Sequence, residues 1–265
     1  MLLAGKRILC MGLLDTRSVA WVVGQKAAEA GAEVIYAVQN ERFRDVLLRR
    51  SFKQEGLDVD DYRIFPCDVT RDEEITALFD QLEEPLDGLV HSIAYANPQT
   101  CLAETLFDAP RADVLQAFEI SAASLAFVAG AARRRMTRGG SIIGLTFDSE
   151  HVYPSYNWMG VCKAALEGVA RYLARDLGPS GIRVNCLSAG PMRTMAATKI
   201  PGFDAINQAW PARSPIGWDV VEDRHAVGDS ALYLLSDLSR RVTGEVLHVD
   251  GGFHSVGLRF DADAG

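Results

Sequence analysis

Residues 7–30 read RILCMGLLDTRSVAWVVGQKAAEA, and this stretch decides the fold. It starts with a short apolar run that ends at Gly12 and continues, after Ser18, with apolar side chains at helical spacing. The stretch therefore predicts a buried strand over Arg7–Met11, a tight turn, and a helix over Val19–Ala30. A strand, a glycine turn and a helix in this order are typical of the beginning of an open parallel α/β sheet.

The same alternation of short apolar runs and helical patterns recurs along the chain. Further strands are predicted at Glu33–Ala37, Tyr62–Pro66, Gly88–Ser92, Gly140–Leu145, Arg183–Ser188 and Glu245–Val249. Further helices are predicted at Asp72–Leu82, Ala112–Arg135, Tyr156–Asp176 and Ala226–Leu235. Because neighbouring parallel strands need a crossover helix, the pattern predicts the α/β class, with a Rossmann-type, doubly wound sheet of seven parallel strands and helices on both faces.

No linker, repeat or low-complexity segment interrupts this rhythm. We therefore expect one dinucleotide-binding and catalytic domain over residues 1–257. Within it, Gly190–Trp218 fits neither pattern and is expected to be an irregular, substrate-binding loop. Residues 258–265 are expected to form a loose tail.

Composition narrows the class of protein. The 265 residues are 48% hydrophobic and carry a formal charge of −8, which disfavours nucleic acid and anionic membranes as partners. No run approaches the roughly 20 apolar residues of a membrane span, and the N-terminal run is too short for a signal peptide. Five dispersed cysteines suit reduced thiols in the cytoplasm, and no metal site is expected because zinc ligands usually occur as close-spaced pairs.

The turn between the first strand and the first helix is a candidate dinucleotide site. It runs from Gly12 to Ser18 and opens the helix at Val19, where free N–H groups and the positive end of the helix dipole suit a pyrophosphate. The turn lacks the G-x-G-x-x-G pattern, so a simple strand-to-helix connection stays an alternative at this point.

The end of the second strand bears on the choice of dinucleotide. Gln39 lies where such a fold meets the adenosine ribose, and no Arg or Lys stands directly there to neutralise a 2′-phosphate. This favours NADH over NADPH, although Arg42 and Arg44 follow closely enough to reach a phosphate.

Two later strand ends extend the candidate cofactor site. Asp68 and Val69 follow the third strand and would suit the adenine, whereas Ser92, Ile93 and Ala94 follow the fourth and would pass the ribose and nicotinamide. Small residues allow close approach of the backbone to a ligand. Taken alone, Asp68 also suits a helix cap, and Ala94 also suits packing.

A tyrosine and a lysine form the candidate catalytic pair. Seven positions, about two helical turns, separate Tyr156 from Lys163, so both side chains lie on one face of a helix. An ammonium near a phenol and a ribose can bind the cofactor and stabilise developing negative charge. In isolation such a pair is also a common feature of a solvated helix surface.

The surrounding motifs make the pair specific. The chain resembles the short-chain dehydrogenase/reductase superfamily, and within it the enoyl-[acyl-carrier-protein] reductase branch, because Tyr-x6-Lys replaces the usual Tyr-x-x-x-Lys. The supporting matches, in chain order, are Gly12 with Ser18, Tyr36 to Asn40, Cys67 to Val69, His91 to Ile93, Tyr156 to Gly160, Ser188 to Thr194 and His248 to Phe253.

This resemblance implies reduction of the C2–C3 double bond of a trans-2-enoyl thioester with NADH, the final step of the fatty-acid elongation cycle. Tyr156 would hydrogen-bond the thioester carbonyl, and Lys163 would bind the nicotinamide ribose. Met192 would meet the carboxamide, and Thr194 would contact the pyrophosphate. The residues expected to contact the substrate are Tyr95, Phe147, Tyr153, Tyr156, Ala196, Ile200 and Phe203.

The resemblance also implies partners. The substrate would be an enoyl group on acyl-carrier protein, and relatives commonly form homotetramers through the long helices. The segment around Arg193, Lys199 and Arg213 is locally basic and could receive an acidic carrier. The same segment could serve as a lid over a short to medium acyl chain or as an interface between subunits.

Two residues depart from the family pattern. Phe147 stands where many members have a second tyrosine, and Tyr153 is an additional phenol that either touches substrate or packs. These departures keep two other interpretations open. One is a related reductase acting on a ketone or imine in a specialised pathway, and the other is a non-catalytic NAD-binding scaffold.

Overall fold

All seven predicted strands are present in one sheet. The computed structural model describes residues 1–103 and 105–257, so the expected tail at 258–265 lies outside the described residues. The strands are β1 (Arg7–Met11), β2 (Glu33–Val38), β3 (Arg63–Pro66), β4 (Gly88–His91), β5 (Gly140–Thr146), β6 (Ile182–Ala189) and β7 (Val246–Val249). They are ordered β3-β2-β1-β4-β5-β6-β7, and every neighbouring pair is parallel. The predicted fold class is confirmed.

Eight α-helices cross over between or follow the strands. They are α1 (Val19–Glu29), α2 (Arg49–Gln54), α3 (Asp72–Asp80), α4 (Arg111–Phe118), α5 (Ser124–Ala132), α6 (Asn157–Leu177), α7 (Phe203–Arg213) and α8 (Arg224–Leu235) among the described residues. A π-helical stretch, Phe43–Leu48, leads into α2, and another, Glu119–Ala123, joins α4 to α5. Neither α2 nor α7 is among the helices predicted from the sequence pattern.

The sheet is buried on both faces, as a parallel sheet requires. Alternate residues of β2 enter different cores: Tyr36 packs in the core that includes α1 and α8, whereas Ile35 packs in the core that includes α3, α5 and α6. Successive side chains of a strand point to opposite faces, so every side chain of an apolar run is buried in one of the two cores. This is why the strand sequences are continuously apolar rather than alternating.

One helical stretch is longer and more apolar than the sequence analysis allowed. Arg111–Ala132 spans 22 residues with a mean hydropathy of 1.5 in its most apolar window, so by length and composition it could cross a membrane. The expectation that no run approaches this length was wrong. In the fold, 44% of that window is buried, and Leu125 and Val128 pack in the core beneath the sheet. The stretch therefore covers the sheet as a core helix does.

Candidate active site

The predicted site residues gather at one edge of the sheet. In a parallel sheet all carboxyl ends of the strands lie at the same edge, and the loops after β1, β4, β5 and β6 carry most of the candidates. The chain leaves β1 toward β2 on one side, whereas β4 lies on the other side of β1. This reversal of strand order creates a crevice at the carboxyl edge, which is where doubly wound folds bind their ligands.

Gly12 allows the close approach of two loops in this crevice. Its φ is +93°, and a Cβ at this position would lie 2.1 Å from the carbonyl oxygen of Ser92. The amides of Gly12 and Leu13 both donate to the carbonyl of Ala37, each at 3.1 Å. The first loop is thus fixed between the ends of β2 and β4, and it leads directly into the start of α1.

Ser18 shapes the same loop. Its hydroxyl accepts hydrogen bonds from the amides of Leu14 and Asp15 at 3.0 and 2.9 Å and lies 3.2 Å from the Asp15 carboxylate, to which it donates. Val19, which follows, is the first residue of α1, where backbone N–H groups have no intrahelical partner. The Ser18 side chain therefore positions the loop, while the helix start offers donors suited to a pyrophosphate.

The adenosine-side candidates lie after β2 and β3. Gln39 is exposed directly after β2, and Val69 is buried. The carboxylate of Asp68 accepts from the Thr70 amide at 3.0 Å and from the Thr70 hydroxyl at 2.7 Å. Asp68 thus stabilises a turn with Thr70, but it does not cap the following helix, because the N-cap residue of α3 is Arg71.

The segment after β4 borders the crevice on the other side. Ser92 and Ile93 are partly buried, whereas Ala94 and Tyr95 are exposed. The hydroxyl of Ser121 bridges the backbone of Tyr95, accepting from its amide at 2.9 Å and donating to its carbonyl at 2.8 Å. This clamp holds the segment in an extended path along the site.

Tyr156 lies immediately before α6, in a strained segment. Its neighbours Ser155 and Asn157 have φ values of 61° and 33°, in the left-handed region that costs non-glycine residues free energy. The side chain of Asn157 donates to the carbonyl of Ala103, so the start of α6 is tied to the loop after β4. Such tethering can sustain a backbone that holds one side chain in a functional position.

The Tyr156 side chain is buried but chemically available. Its ring is 8% exposed and lies 5.0 Å from the ring of Phe147, between centroids. No described residue hydrogen-bonds its hydroxyl. Burial raises the pKa of that hydroxyl above its ordinary value, so the phenol stays protonated at neutral pH and can donate a hydrogen bond.

Lys163 reaches the end of β5 from α6. Its Nζ donates to the carbonyl oxygen of Leu145 at 2.8 Å, and only 6% of the residue is exposed. Burial lowers the pKa of Lys163 to about 8, which leaves the ammonium the dominant form at neutral pH. The structure therefore places a protonated phenol and a buried cation beside the same strand end.

Several buried polar residues surround Lys163 and were not chosen as candidates from the sequence. Glu167, one turn along α6, accepts from the hydroxyls of Thr146 and Ser149 at 2.8 and 2.7 Å. His91, the last residue of β4, lies 2.8 Å from the Ser124 hydroxyl through Nε2. The spacing of Glu167 four residues after Lys163 was a usable signal, whereas nothing local indicated the partner of His91.

An aromatic cluster forms one wall of the site. Phe147 lies 4.8 Å from Tyr153 and 5.5 Å from Trp210, measured between ring centroids. The hydroxyl of Tyr153 donates to the buried carboxylate of Asp148 at 2.6 Å. The hydroxyl of Tyr153 is therefore already hydrogen-bonded to Asp148. A substrate could contact the ring of Tyr153 rather than its hydroxyl.

The segment 190–218 is not irregular, which corrects the prediction. It contains a 3₁₀ turn, Ala197–Lys199, followed by α7. The Thr194 hydroxyl accepts from the Ala197 amide at 3.1 Å and so anchors that turn. The helix was missed because it buries only Phe203 and Trp210 and carries a proline near its end, so its apolar period is weak.

The other candidates of this segment differ in exposure. Met192 and Ile200 pack against the core as partly buried residues, and Ala196 is exposed. Arg193 lies 3.6 Å from the carboxylate of Asp204 and 5.8 Å from the Phe203 ring centroid. Because this arginine is already paired, the local positive charge available to an acidic partner is smaller than the sequence suggested.

A dinucleotide crevice beside a protonated tyrosine and a buried lysine is the arrangement of the short-chain dehydrogenases/reductases. The fold and the site together define this class of NAD(P)H-dependent oxidoreductase. Comparison with known proteins carries the assignment further.

The enoyl-(acyl carrier protein) reductase family profile matches residues 12–254. The chain is 41% identical to the enoyl-acyl-carrier-protein reductase (NADH) FabI of Bacillus cereus, over 97% of this chain and 99% of the relative. It is 40% identical to the enoyl-acyl-carrier-protein reductase (NADPH) FabI of Staphylococcus aureus, over 96% of this chain and 98% of the relative. The crystal structure of the Bacillus cereus reductase with NADP+ and indole naphthyridinone has a TM-score of 0.89 at 42% identity and covers 97% of this chain and 99% of that chain.

The chain belongs to the enoyl-(acyl carrier protein) reductase family. The resemblance found in the sequence and the predicted oxidoreductase class are thereby confirmed. The relatives include both NADH and NADPH enzymes, so family membership establishes a nicotinamide dinucleotide as cofactor without selecting between the two forms.

Proposed function

We propose that this protein reduces the C2–C3 double bond of a trans-2-enoyl thioester carried by acyl-carrier protein, using NADH, as the final step of the fatty-acid elongation cycle. The observation that carries the proposal is the free hydroxyl of Tyr156 at the start of α6, two turns from the buried ammonium of Lys163 and beside the same strand end. The names of the relatives support the thioester substrate.

The residues of the crevice fit a dinucleotide. The free N–H groups at the start of α1 suit a pyrophosphate, and Gly12 lets the loop before this helix pack closely on the end of β4. Bound there, the reduced nicotinamide would supply a hydride to the substrate. The residues that would hold the cofactor are Gly12, Ser18, Val19, Gln39, Asp68, Val69, Ser92, Ile93, Ala94, Lys163, Met192 and Thr194.

Tyr156 and Lys163 would have different functions in catalysis. The protonated phenol of Tyr156 donates a hydrogen bond to the thioester carbonyl, whose oxygen gains negative charge as the enolate forms. Lys163 contributes positive charge at the same strand end and binds the ribose with an N–H group that Leu145 leaves free. Protonation at C2 of the substrate then completes the reduction.

The substrate would lie against the aromatic wall and beneath α7. The residues proposed to contact it are Tyr95, Phe147, Tyr153, Tyr156, Ala196, Ile200 and Phe203. A wall of aromatic and aliphatic side chains excludes water and strengthens the electrostatic effects of the buried pair. This arrangement is suited to an apolar acyl chain.

NADH is the proposed form of the cofactor. Asn40, directly after Gln39, uses its side-chain oxygen to accept from the Phe43 amide at 2.9 Å, and Arg44 pairs with Asp45 at 2.9 Å. These contacts occupy the groups nearest the predicted ribose position. Arg42 is exposed and is the residue through which a 2′-phosphate would be tolerated.

We further propose that the protein is a cytoplasmic homotetramer with one catalytic domain over residues 1–257. Five free cysteines, all buried, suit a reducing compartment. Exposed apolar side chains on the α4–α5 stretch and on α6 support subunit contacts. These side chains are Leu115, Phe118, Phe127, Val161 and Tyr172.

The test is turnover of crotonyl and longer enoyl thioesters, followed by NADH absorbance, with NADPH and keto thioesters in parallel. We expect enoyl turnover with NADH, and we expect Tyr156→Phe to lower kcat about 100-fold with little change in NADH binding. Tyr233→Phe removes a phenol from α8, away from the site, and should leave both unchanged.

Each alternative function has its own outcome. Turnover of ketones but not of enoyl thioesters would support the specialised reductase instead. NADH binding without turnover of either substrate would support the scaffold. Equal kcat for Tyr156→Phe and the unmodified protein would remove Tyr156 from the reaction.

A further inference from the structure

His91 is a fully buried histidine whose protonation pattern is set by its neighbours. Its Nε2 lies 2.8 Å from the Ser124 hydroxyl, and that hydroxyl lies 2.7 Å from the carbonyl of Ile120. Because the carbonyl can only accept, Ser124 gives its proton to Ile120 and accepts from Nε2–H of His91. The other ring nitrogen, Nδ1, therefore carries a lone pair and is an acceptor.

This acceptor is unusual for a protein interior. His91 Nδ1 is buried and has no hydrogen-bond partner among the described residues. Burial, together with the nearby charge of Lys163, lowers the pKa of His91 to about 3, so the ring is neutral near pH 7. Buried polar atoms are normally paired, and an exception calls for a functional explanation.

A donor lies at the end of the neighbouring strand. His91 pairs in register with Gly144 of β5, and the next residue, Leu145, accepts from the Lys163 ammonium. An ammonium has three donors, and Leu145 occupies one of them. The other titratable groups that act on Lys163 are Cys186 from β6 and Cys162 and Glu167 from α6.

We propose that His91 is a positioning residue for Lys163, whose ammonium donates to His91 Nδ1 through one bridging water and is thereby held charged and oriented beside Tyr156. The inference rests on the proposed function, since it assigns to Lys163 the binding of the ribose. A neutral acceptor favours the charged form of a lysine and so opposes the desolvation that lowers its pKa.

Two amide substitutions test the functions of the two ring nitrogens of His91 separately. His91→Asn keeps an oxygen near the place of Nδ1, whereas His91→Gln places its amide near Nε2 and leaves the Nδ1 position without an acceptor. Comparison of these variants distinguishes support of Lys163 from ordinary packing, even where His91→Phe fails to fold.

The first measurement is the pH dependence of kcat/KM for an enoyl thioester, together with KM for NADH. Activity needs charged Lys163 and should fall as the pH rises through its pKa. We expect His91→Gln to move this alkaline limb down by about one pH unit and to raise KM for NADH. We expect His91→Asn to leave the limb in place.

The second measurement needs no turnover. The pKa of Lys163 is read from the ¹³Cε shift of labelled lysine in the cofactor-free protein, with Lys163→Met assigning the signal. We expect a lower pKa in His91→Gln than in His91→Asn. Equal pKa values in the folded Asn and Gln variants would overturn the inference, whereas failure of enoyl turnover with the expected pKa difference would overturn only the proposed function.

Discussion

A methyl group at position 12 would lie 2.1 Å from the carbonyl oxygen of Ser92, so the backbone of Gly12 and the end of β4 can meet only without a side chain. This contact joins the two strands that flank the crevice of the sheet. One residue thus sets how closely the first loop packs on the end of β4.

Gly12→Ala should therefore weaken NADH binding by about tenfold or more, because the loop must shift away from β4. The measurement is a fluorescence titration with NADH alongside thermal unfolding. Gly56→Ala is the matched control, since Gly56 also has positive φ but no atoms within 4 Å of its absent Cβ. NADH affinity equal in the two variants would contradict the assignment.

Much at the residue scale could be predicted from the sequence. Tyr156 and Lys163 were found from their spacing and the motifs around them, and the structure places both beside the end of β5. For Tyr153 the sequence allows either substrate contact or packing, and in the structure its hydroxyl donates to Asp148. A hydrogen-bond partner depends on side-chain rotamers, and sequence spacing does not report these.

At the scale of elements, α7 is attached to the site by a stack of side chains. The ring centroids of Trp210 and Phe253 are 3.7 Å apart, and the two ring planes differ by 9°. The guanidinium of Arg213 lies 4.4 Å from the centroid of the Phe253 ring. Tyr153 lies 5.8 Å from Trp210 and 6.2 Å from Phe253 between ring centroids, so the three rings form one cluster. The stack links α7, the segment after β7 and the loop that carries Tyr156.

Trp210→Leu should therefore lower the free energy of unfolding by about 2 to 4 kcal/mol and raise KM for the enoyl thioester more than KM for NADH. The reason is that α7 loses its main buried anchor while the loops at the cofactor side keep their contacts. Denaturant unfolding and steady-state kinetics provide the two measurements. Leu238→Ala, an exposed truncation after α8, should change neither, and an unchanged thioester KM in Trp210→Leu would separate α7 from substrate binding.

Element boundaries could be predicted where burial is continuous. The strand over Arg7–Met11 has the bounds that the sequence indicated, and α6 begins one residue after the predicted start. The helices α2 and α7 were missed because each buries only one or two large side chains. An apolar period becomes visible only when several turns of a helix face a core.

At the scale of the whole molecule, the exposed apolar residues of the α4–α5 stretch and α6 lead to a prediction about assembly. Phe127→Glu should dissociate the proposed tetramer, because each symmetric contact would bury an unpaired charge. Sedimentation velocity should show the mass fall from four times the 28.9 kDa of the chain. Val46→Glu changes an equally exposed apolar residue beside α2 and should leave the mass unchanged.

A tetramer that survives Phe127→Glu would place the subunit contacts elsewhere. A single-chain mass for the unmodified protein would remove the assembly proposal. In either case the apolar character of the exposed face of Arg111–Ala132 would need another explanation than subunit contact.

The sequence by itself determined the strands, their parallel arrangement and the Tyr156–Lys163 pair, since these follow from periodicity and from motifs along the chain. The crevice at the carboxyl edge follows from the strand order, which the tertiary structure supplies. Only the tertiary structure decided that His91 Nδ1 is an unpaired acceptor near Lys163, that Tyr153 is committed to Asp148, and that Trp210 stacks on Phe253. The physical reason is that apolar burial leaves a repeating signal in the chain, whereas pairing between particular polar atoms or rings arises only when distant elements pack.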